Sequence, residues 1–559
     1  MAKSVFLIIS LLTLFSAEAQ SNKKDTSLNK DVSIVLKYKP NLIDAQKIES
    51  VPVIEKPIPT PKSYTYNVVQ KQVNTEKIVN PIPAVDLFQK EEFNYPSSYV
   101  KLGYGNLNTP LAELYFNNKQ DKKYSYGIQY RYLESNSNYN KSFADFADHN
   151  AKAYLSTYSD IGEFGLVASY KTNRYNYYGF NDTFDLKKED LQRVVKNFEA
   201  KAYFNSVSNK SDKIKHRSSF YFNQFQLGKN IENDYALKSK IYGNFSAFND
   251  LENGVLSAEL GLDYTTLKSP IFAKDQKRLF LTLDPRYDFI YDGLNLSIGF
   301  NSTVLFEGND TAKPFFNLYL KGTYPLIEDV ATLYAGIDGR YHKQSFKNTI
   351  TNNPYVSSFN LTNSYENAKL FAGLTAKIGS SADAVFEINY TDMSNMPLFI
   401  SKNDSLNSFA VRNAQMNVLK FNAGFNYSFS EVARLGISGN FYNYSTSDKM
   451  VLNKEYEPWQ LPTIEGKLNA KFNIKNTVYP HIDLVAMSMQ KQRSGTNDSS
   501  FTTSFIKPFY DVSVGIDFRF KKKISLFVQA NNLVAARYSR WFNYPVYGLN
   551  YLGGLSFIF

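Results

Sequence analysis

From Tyr99 to Phe559 apolar and polar residues alternate with a period of two, which in a β-strand places successive side chains on opposite faces. Between Asp511 and Phe520, Val512, Val514, Ile516, Phe518 and Phe520 share one face, and Asp511, Ser513, Gly515, Asp517 and Arg519 share the other. Leu256, Ala258, Leu260, Leu262 and Tyr264 oppose Ser257, Glu259, Gly261, Asp263 and Thr265 in the same way. So do Leu294, Leu296, Ile298 and Phe300 against Asn295, Ser297, Gly299 and Asn301. One face is greasy and the other wet.

Connections between these segments alternate in length. Short ones fall at 160–162, 250–254, 292–293, 379–383, 430–431, 475–477 and 521–523. Longer polar ones fall near 134–145, 174–192, 343–360, 392–412, 445–459 and 489–506. Tight turns at one end and long loops at the other are the pattern of a bacterial outer-membrane barrel. The chain therefore reads as all-β: a transmembrane antiparallel up-and-down β-barrel over residues 97–559, with about 22 strands (20–24 within the softness of strand edges). An even count brings the last strand back to the short-turn, periplasmic side. First and last strands are expected to pair, because lipid leaves no sheet edge satisfied.

Composition sharpens this picture. Aromatic residues make up 16% of the chain, yet mean hydropathy is only −0.37, and past the first fifteen residues no apolar run approaches the roughly 18–20 residues of a membrane-spanning helix. A strand that shows lipid at every second position reconciles the two. The N-terminus reads as an export signal (1–19): Lys3, an apolar run from Val5 to Phe15, and Ala17-Glu18-Ala19 before Gln20. The chain contains no cysteine, which excludes a lipid-attachment cysteine, a disulfide framework, a thiol nucleophile and thiolate metal sites. Residues 20–96 hold eight of the 20 prolines and none of the 27 glycines. This segment is expected to be extended and periplasmic, because proline fixes φ and removes backbone donors. It suits docking to a periplasmic or outer-membrane protein partner by strand addition or groove binding, or service as a plain tether.

The charge of +11 is scattered singly, with Lys521-Lys522-Lys523 as the densest run, read as a turn and not as a nucleic-acid contact. On the wet face lie Arg278, Asp284, Arg286, Asp288, Asp338, Arg340, Glu387, Asp517 and Arg519, candidate lumen charges. Their mixture of signs is expected to pair across neighbouring strands and, secondarily, to line a solute path. Aromatic clusters at loop bases, Tyr175, Tyr177, Tyr178 and Phe180, and Trp541, Phe542, Tyr544 and Tyr547, fit an interfacial girdle in contact with outer-membrane lipid, or alternatively a ligand-stacking loop.

The last strand carries Tyr551, Gly553, Leu555, Phe557 and Phe559 at alternate, lipid-facing positions. It resembles the signal that outer-membrane barrels present to the barrel-assembly machinery. Leu526-Phe527-Val528-Gln529, Asn531-Asn532-Leu533, Arg537-Tyr538 and Tyr547-Gly548-Leu549-Asn550-Tyr551 together resemble the closing hairpin of TonB-dependent receptors. That resemblance implies a 22-strand transport barrel. It departs from the family in its N-terminal part: the proline-rich, glycine-free residues 20–96 do not match a globular plug, so the chain resembles a plug-less TonB-dependent receptor. A barrel this wide must then be filled by the N-terminal segment, by inward-bent loops or by another protein.

The four histidines His149, His216, His342 and His481 show no metal-ligand spacing, and no phosphate loop or nucleophile elbow occurs. The expectation is a non-enzymatic protein without cofactor or metal. Its role is solute transport or a channel gated by loops or a partner; the alternative is a barrel subunit of an envelope assembly or secretion machine.

Overall fold

The computed structural model describes residues 98–559 apart from 119–122, 137, 140–141, 180–186, 207–213, 245–251, 309, 447–456, 496–500 and 521–522. The expected export signal, the proline-rich segment, Phe180 and the pair Lys521-Lys522 lie outside the described residues. Barrel strands are β1 (Ser98–Gly105), β2 (Thr109–Asn117), β3 (Tyr124–Ser135), β4 (Phe146–Ser159), β5 (Gly162–Asn176), β6 (Gln192–Ser206), β7 (Ile214–Leu227) and β8 (Asn230–Asn244). They continue as β9 (Glu252–Lys268), β10 (Gln276–Tyr291), β11 (Leu294–Glu307), β12 (Lys313–Ile327), β13 (Ala331–Asp338), β14 (Ser364–Ile378) and β15 (Ala382–Ser401). The ring is completed by β16 (Phe409–Phe429), β17 (Ala433–Thr446), β18 (Ile464–Phe472), β19 (Val478–Met487), β20 (Phe509–Phe520), β21 (Ile524–Asn531) and β22 (Asn550–Ile558).

Each strand pairs antiparallel with the next, and β22 returns to β1 in a register running from Tyr99 opposite Ile558 to Gly105 opposite Leu552. The closed barrel of 22 antiparallel strands matches the expected count and closure. Every backbone group in the ring can find a partner on a neighbouring strand, the condition for crossing hydrocarbon. The alternation sorts as expected: Leu256, Leu260 and Leu262 are 48%, 46% and 43% exposed on the outer wall, while Thr265 and Ser257 on the other face are buried. So many exposed large apolar side chains on one continuous outer surface require lipid, not water.

Two details differ from the sequence reading. Tight connections also occur at the long-loop end, at 106–108 and 228–229, where Asn108 and Gly228 adopt left-handed backbone. The connection placed at 392–412 is much shorter: β15 runs to Ser401 and β16 starts at Phe409, with a bulge between Met393 and Met396. Met393, Met396, Leu398, Phe399, Ile400, Phe409 and Met416 are all buried there, so this hairpin rises past the wall and is covered on both faces by loops. A run buried on both faces loses the two-residue alternation by which the other strands were recognised.

Candidate functional site

The site is built from loops at the outer end of the lumen. Its first part is the connection between β13 and β14, residues 339–363, which folds into the barrel instead of outward. A short helix forms at Phe346–Asn352, where Ser345 caps the first turn by accepting from the Asn348 amide at 3.0 Å. The helix stops before Pro354, which cannot continue it. Glu232 on β8, fully buried, accepts from the amides of Phe346 (2.6 Å) and Lys347 (3.0 Å), so two of the helix's unpaired donors are satisfied by the barrel wall. The apolar side of the helix packs Phe346 edge-on against Phe225 of β7, with ring centroids 5.6 Å apart, and against Phe359 at 4.8 Å.

Two lysines of the same loop complete the anchor. Lys343 donates to Asp234 Oδ1 (3.1 Å), to both oxygens of Asp263 (2.9 Å each) and to Thr265 Oγ1 (3.1 Å). Burial disfavours its charge, but Asp234 and Asp263 outweigh burial and hold its pKa above the ordinary lysine value. Lys347 reaches Glu199 of β6 at 2.6 Å and Tyr221 of β7 at 3.1 Å. On the far side of the loop, buried Arg278 of β10 donates to the Leu361 carbonyl (3.3 Å) and to Asn363 Oδ1 (3.1 Å). His342 sits 3.2 Å from Glu366. A loop that leaves the wall at β13 is thereby fixed to β6, β7, β8, β9 and β10.

The second part is an aromatic lid. Tyr355 stacks on Tyr544 with centroids 3.6 Å apart and planes 18° off parallel, and Tyr178 meets both edge-on at 5.9 and 5.1 Å. Trp541 packs edge-on against Phe399 at 5.4 Å. Asn407, between β15 and β16, donates to the Gly179 carbonyl between β5 and β6. Those hairpins are ten strands apart in a ring of 22, nearly opposite, so this contact spans the mouth. Tyr544 OH donates to the Leu406 carbonyl at 3.1 Å, the Phe409 amide to the Tyr355 carbonyl at 3.0 Å, and the Gly495 amide to the Ser401 carbonyl at 2.8 Å. Burial pushes the Tyr177 phenol up to about 12 despite nearby Arg193.

The girdle reading of these aromatics is therefore corrected: Tyr177, Trp541 and Tyr544 are 4%, 7% and 2% exposed and pack into loops. Protein burial gives more contact than a headgroup layer when several loops converge, and loop convergence leaves no mark in local sequence.

The candidate lumen charges lie on inward positions at several levels. Arg278 belongs to the loop anchor described above. Asp338 accepts from Asn301 (2.6 Å) and faces Arg340 (3.3 Å), while Arg286 donates to Asn301 and stacks over the Tyr319 ring at 4.0 Å. Asp284 accepts the Ser302 amide at 2.9 Å, Glu387 accepts from Tyr334 OH at 2.8 Å, and Arg519 lies 4.6 Å above the Tyr479 ring. Asp517 sits on β20 opposite Tyr479 and Phe527, and Asp288 on β10 opposite Ser297. Neutral partners thus hold Asp284, Arg286, Glu387 and Arg519, and the geometry joins Asp338 with Arg340. The residues missed were Glu199, Glu232, Asp234, Asp263, Lys343 and Lys347. A detectable signal was acidic residues at inward positions on β6, β8 and β9, with two lysines four apart in one loop. At the C-terminal strand, Tyr551, Leu555, Phe557 and Phe559 are 57%, 56%, 47% and 50% exposed on the outer wall, and Gly553 faces β21.

No protein-family model matches the chain, and no curated protein matches it. Solved structures do match its fold. The siderophore receptor PirA from Acinetobacter baumannii aligns with TM-score 0.65 at 12% identity, over 84% of this chain and 81% of that one. The pyoverdine outer membrane receptor FpvA from Pseudomonas aeruginosa PAO1 aligns with TM-score 0.64 at 12% identity, over 83% and 79%. The FrpB iron transporter from Neisseria meningitidis (F5-1 variant) aligns with TM-score 0.63 at 8% identity, over 83% and 82%. The chain thus has the 22-strand outer-membrane barrel fold of TonB-dependent receptors.

Proposed function

We propose that this protein is an outer-membrane transport barrel whose outer mouth is gated by its own loops, without a globular plug of its own. The observation that carries the reading is the β13–β14 loop lodged in the lumen, pinned by Lys343 to Asp234 and Asp263 beneath an aromatic lid that spans the mouth. The similar solved structures are named as receptors and transporters of siderophores and metals, which supports a transport role here; the cargo of this chain is left open. Proteoliposomes loaded with a small dye test the reading. Shortening of residues 341–361 should release the dye while the native chain retains it, and retention by both would argue against a transport route.

A second reading is a barrel subunit of an envelope assembly, docked through residues 20–96. The glycine-free, proline-rich composition of that segment supports it. Affinity isolation from gently solubilised membranes separates the two: co-purification of stoichiometric partners that is lost on deleting 20–96 favours the assembly, and recovery of the barrel alone disfavours it. In either role, the alternating C-terminal residues ending in Phe559 are proposed to engage the barrel-assembly machinery.

A further inference from the structure

A cavity of about 470 Å³ lies at the loop end of β20 and β21, between residues 505–510, where the β19–β20 connection enters β20, and residues 534–543 of the β21–β22 connection. That volume falls within the roughly 300–1,000 Å³ of small-molecule sites. Its walls are tied together in advance. Tyr538 stacks on Phe509 with centroids 3.9 Å apart and planes 7° off parallel, and its hydroxyl donates to Asp511 Oδ2 at 2.6 Å. The Leu533 amide donates to the Val512 carbonyl at 2.8 Å, and Asn532 Nδ2 donates to the carbonyls of Ala536 (2.7 Å) and Tyr547 (2.8 Å).

The cavity meets the membrane side of the barrel. Tyr510 is 57% exposed at the loop end of the outward row Tyr510, Val512, Val514 and Ile516, and Phe505 and Val534 beside the cavity are 52% and 38% exposed. Because β20 ends at the short turn 521–523, its opposite end stands at the level of the outer-leaflet headgroups. Two chemistries line the space. Phe505, Ile506, Val534 and Phe542 are apolar, whereas Lys507 and Arg537 are exposed and cationic, and no carboxylate belongs to the described lining. Asp511 lies on the inward face of β20, where Tyr538 holds it. A soluble anion would use the cations and leave the apolar lining wet; a neutral lipid would cover the apolar lining and leave the cations unused.

We infer that this cavity binds one anionic, phosphate-bearing lipid of the outer leaflet, with its phosphate between Lys507 and Arg537 and an acyl chain against Phe505, Val534 and Phe542. Ammonium and guanidinium groups give a phosphate charge-assisted donors, and a basic pocket beside a membrane-facing wall suits a lipid headgroup. The acyl chain continues the lipid contact that the outward row of β20 already makes. The site lies outside the lumen, so it stands whether or not the barrel carries a solute.

Native mass spectrometry of the full-length protein tests it, by titration in detergent with phosphatidylglycerol or with phosphatidylcholine of the same acyl chains. One phosphatidylglycerol should be retained, and phosphatidylcholine should bind about tenfold more weakly or less. K507Q/R537Q should weaken phosphatidylglycerol about tenfold or more, because charge-assisted hydrogen bonds are lost. V534W should weaken it too, by filling the cavity with both cations in place. K274Q, at an exposed lysine of the β9–β10 connection, should leave binding unchanged. Heat-modifiable migration reports folding of each variant; should V534W not fold, K507Q/R537Q, at two exposed side chains, decides alone. Equal retention of the two lipids, or native-like retention by K507Q/R537Q, would overturn the proposal. So would inorganic phosphate that displaces phosphatidylglycerol at equal concentration, since the cations would then serve a soluble anion.

Discussion

Tyr544 and Tyr551 stand seven positions apart and occupy opposite worlds: the first is 2% exposed inside the loop lid, the second 57% exposed on the outer wall. Both belong to the aromatic excess that marks the chain as a barrel. On the wall, the ring's neighbours in the membrane are interchangeable lipids, and the side chain contributes mainly apolar surface. In the lid its neighbours are Tyr355, Tyr178 and the Leu406 carbonyl, drawn from three different connections, and the ring fixes how those connections meet. One residue type therefore does two jobs, membrane matching along the strands and closure at the outer end.

The difference can be broken most severely at the anchor beneath the lid. Lys343→Met leaves Asp234 and Asp263 without their cation and should weaken loop docking by about 3–5 kcal/mol. Proteolysis of intact cells should then cut within 339–363, while heat-modifiable gel migration still reports a folded barrel. Trp541→Ala removes a buried ring from the lid and should cost about 3–5 kcal/mol of lid stability at most. Amide hydrogen exchange should show that loss in the connections 402–408 and 532–549 and leave the strands protected. Alkali is a gentler probe. Because the Tyr177 phenol is raised to about 12 in the folded lid, its stabilising contribution is full below the ordinary tyrosine pKa of about 10, then declines from pH 10 to 12 as the unfolded form ionises first. Ultraviolet titration should show fewer late-ionising phenols in Trp541→Ala than in the native chain. The smallest effect belongs to the wall: Tyr551→Ala should change barrel stability by only about 0.5 kcal/mol.

The lid can also be locked. Ser357 Oγ and Ser408 Oγ lie 2.6 Å apart, and the chain has no cysteine of its own, so S357C/S408C should form one unambiguous disulfide between the lodged loop and the β15–β16 hairpin. In the Lys343→Met background, oxidation should restore protection of 339–363 and reduction should remove it.

Most of the barrel was legible because its physics is local. Strand residues such as Leu260 and Glu259 announce opposite faces two positions at a time, and the alternating end at Tyr551 to Phe559 marks the closing strand. The lid was not legible for the converse reason. Lys343 finds Asp263 80 positions away and Asp234 109 positions away, and nothing near Lys343 in sequence encodes a turn into the lumen. The upper β15–β16 hairpin failed by another route: Leu398-Phe399-Ile400 is buried on both faces, so its period vanished and it read as loop. Trp541 and Tyr544 were recognised as an unusual cluster but assigned to lipid, since local sequence cannot distinguish a ring packed by a bilayer from one packed by other loops.

Closure of the barrel by its own anchored loop, as proposed above, has a direct electrical consequence. Single-channel recording of the reconstituted native protein and of Lys343→Met measures it. The native chain should stay sealed at low voltage while the variant opens in discrete, reversible steps of a wide aqueous pore; equal conductance in both, or a seal in both, would contradict it.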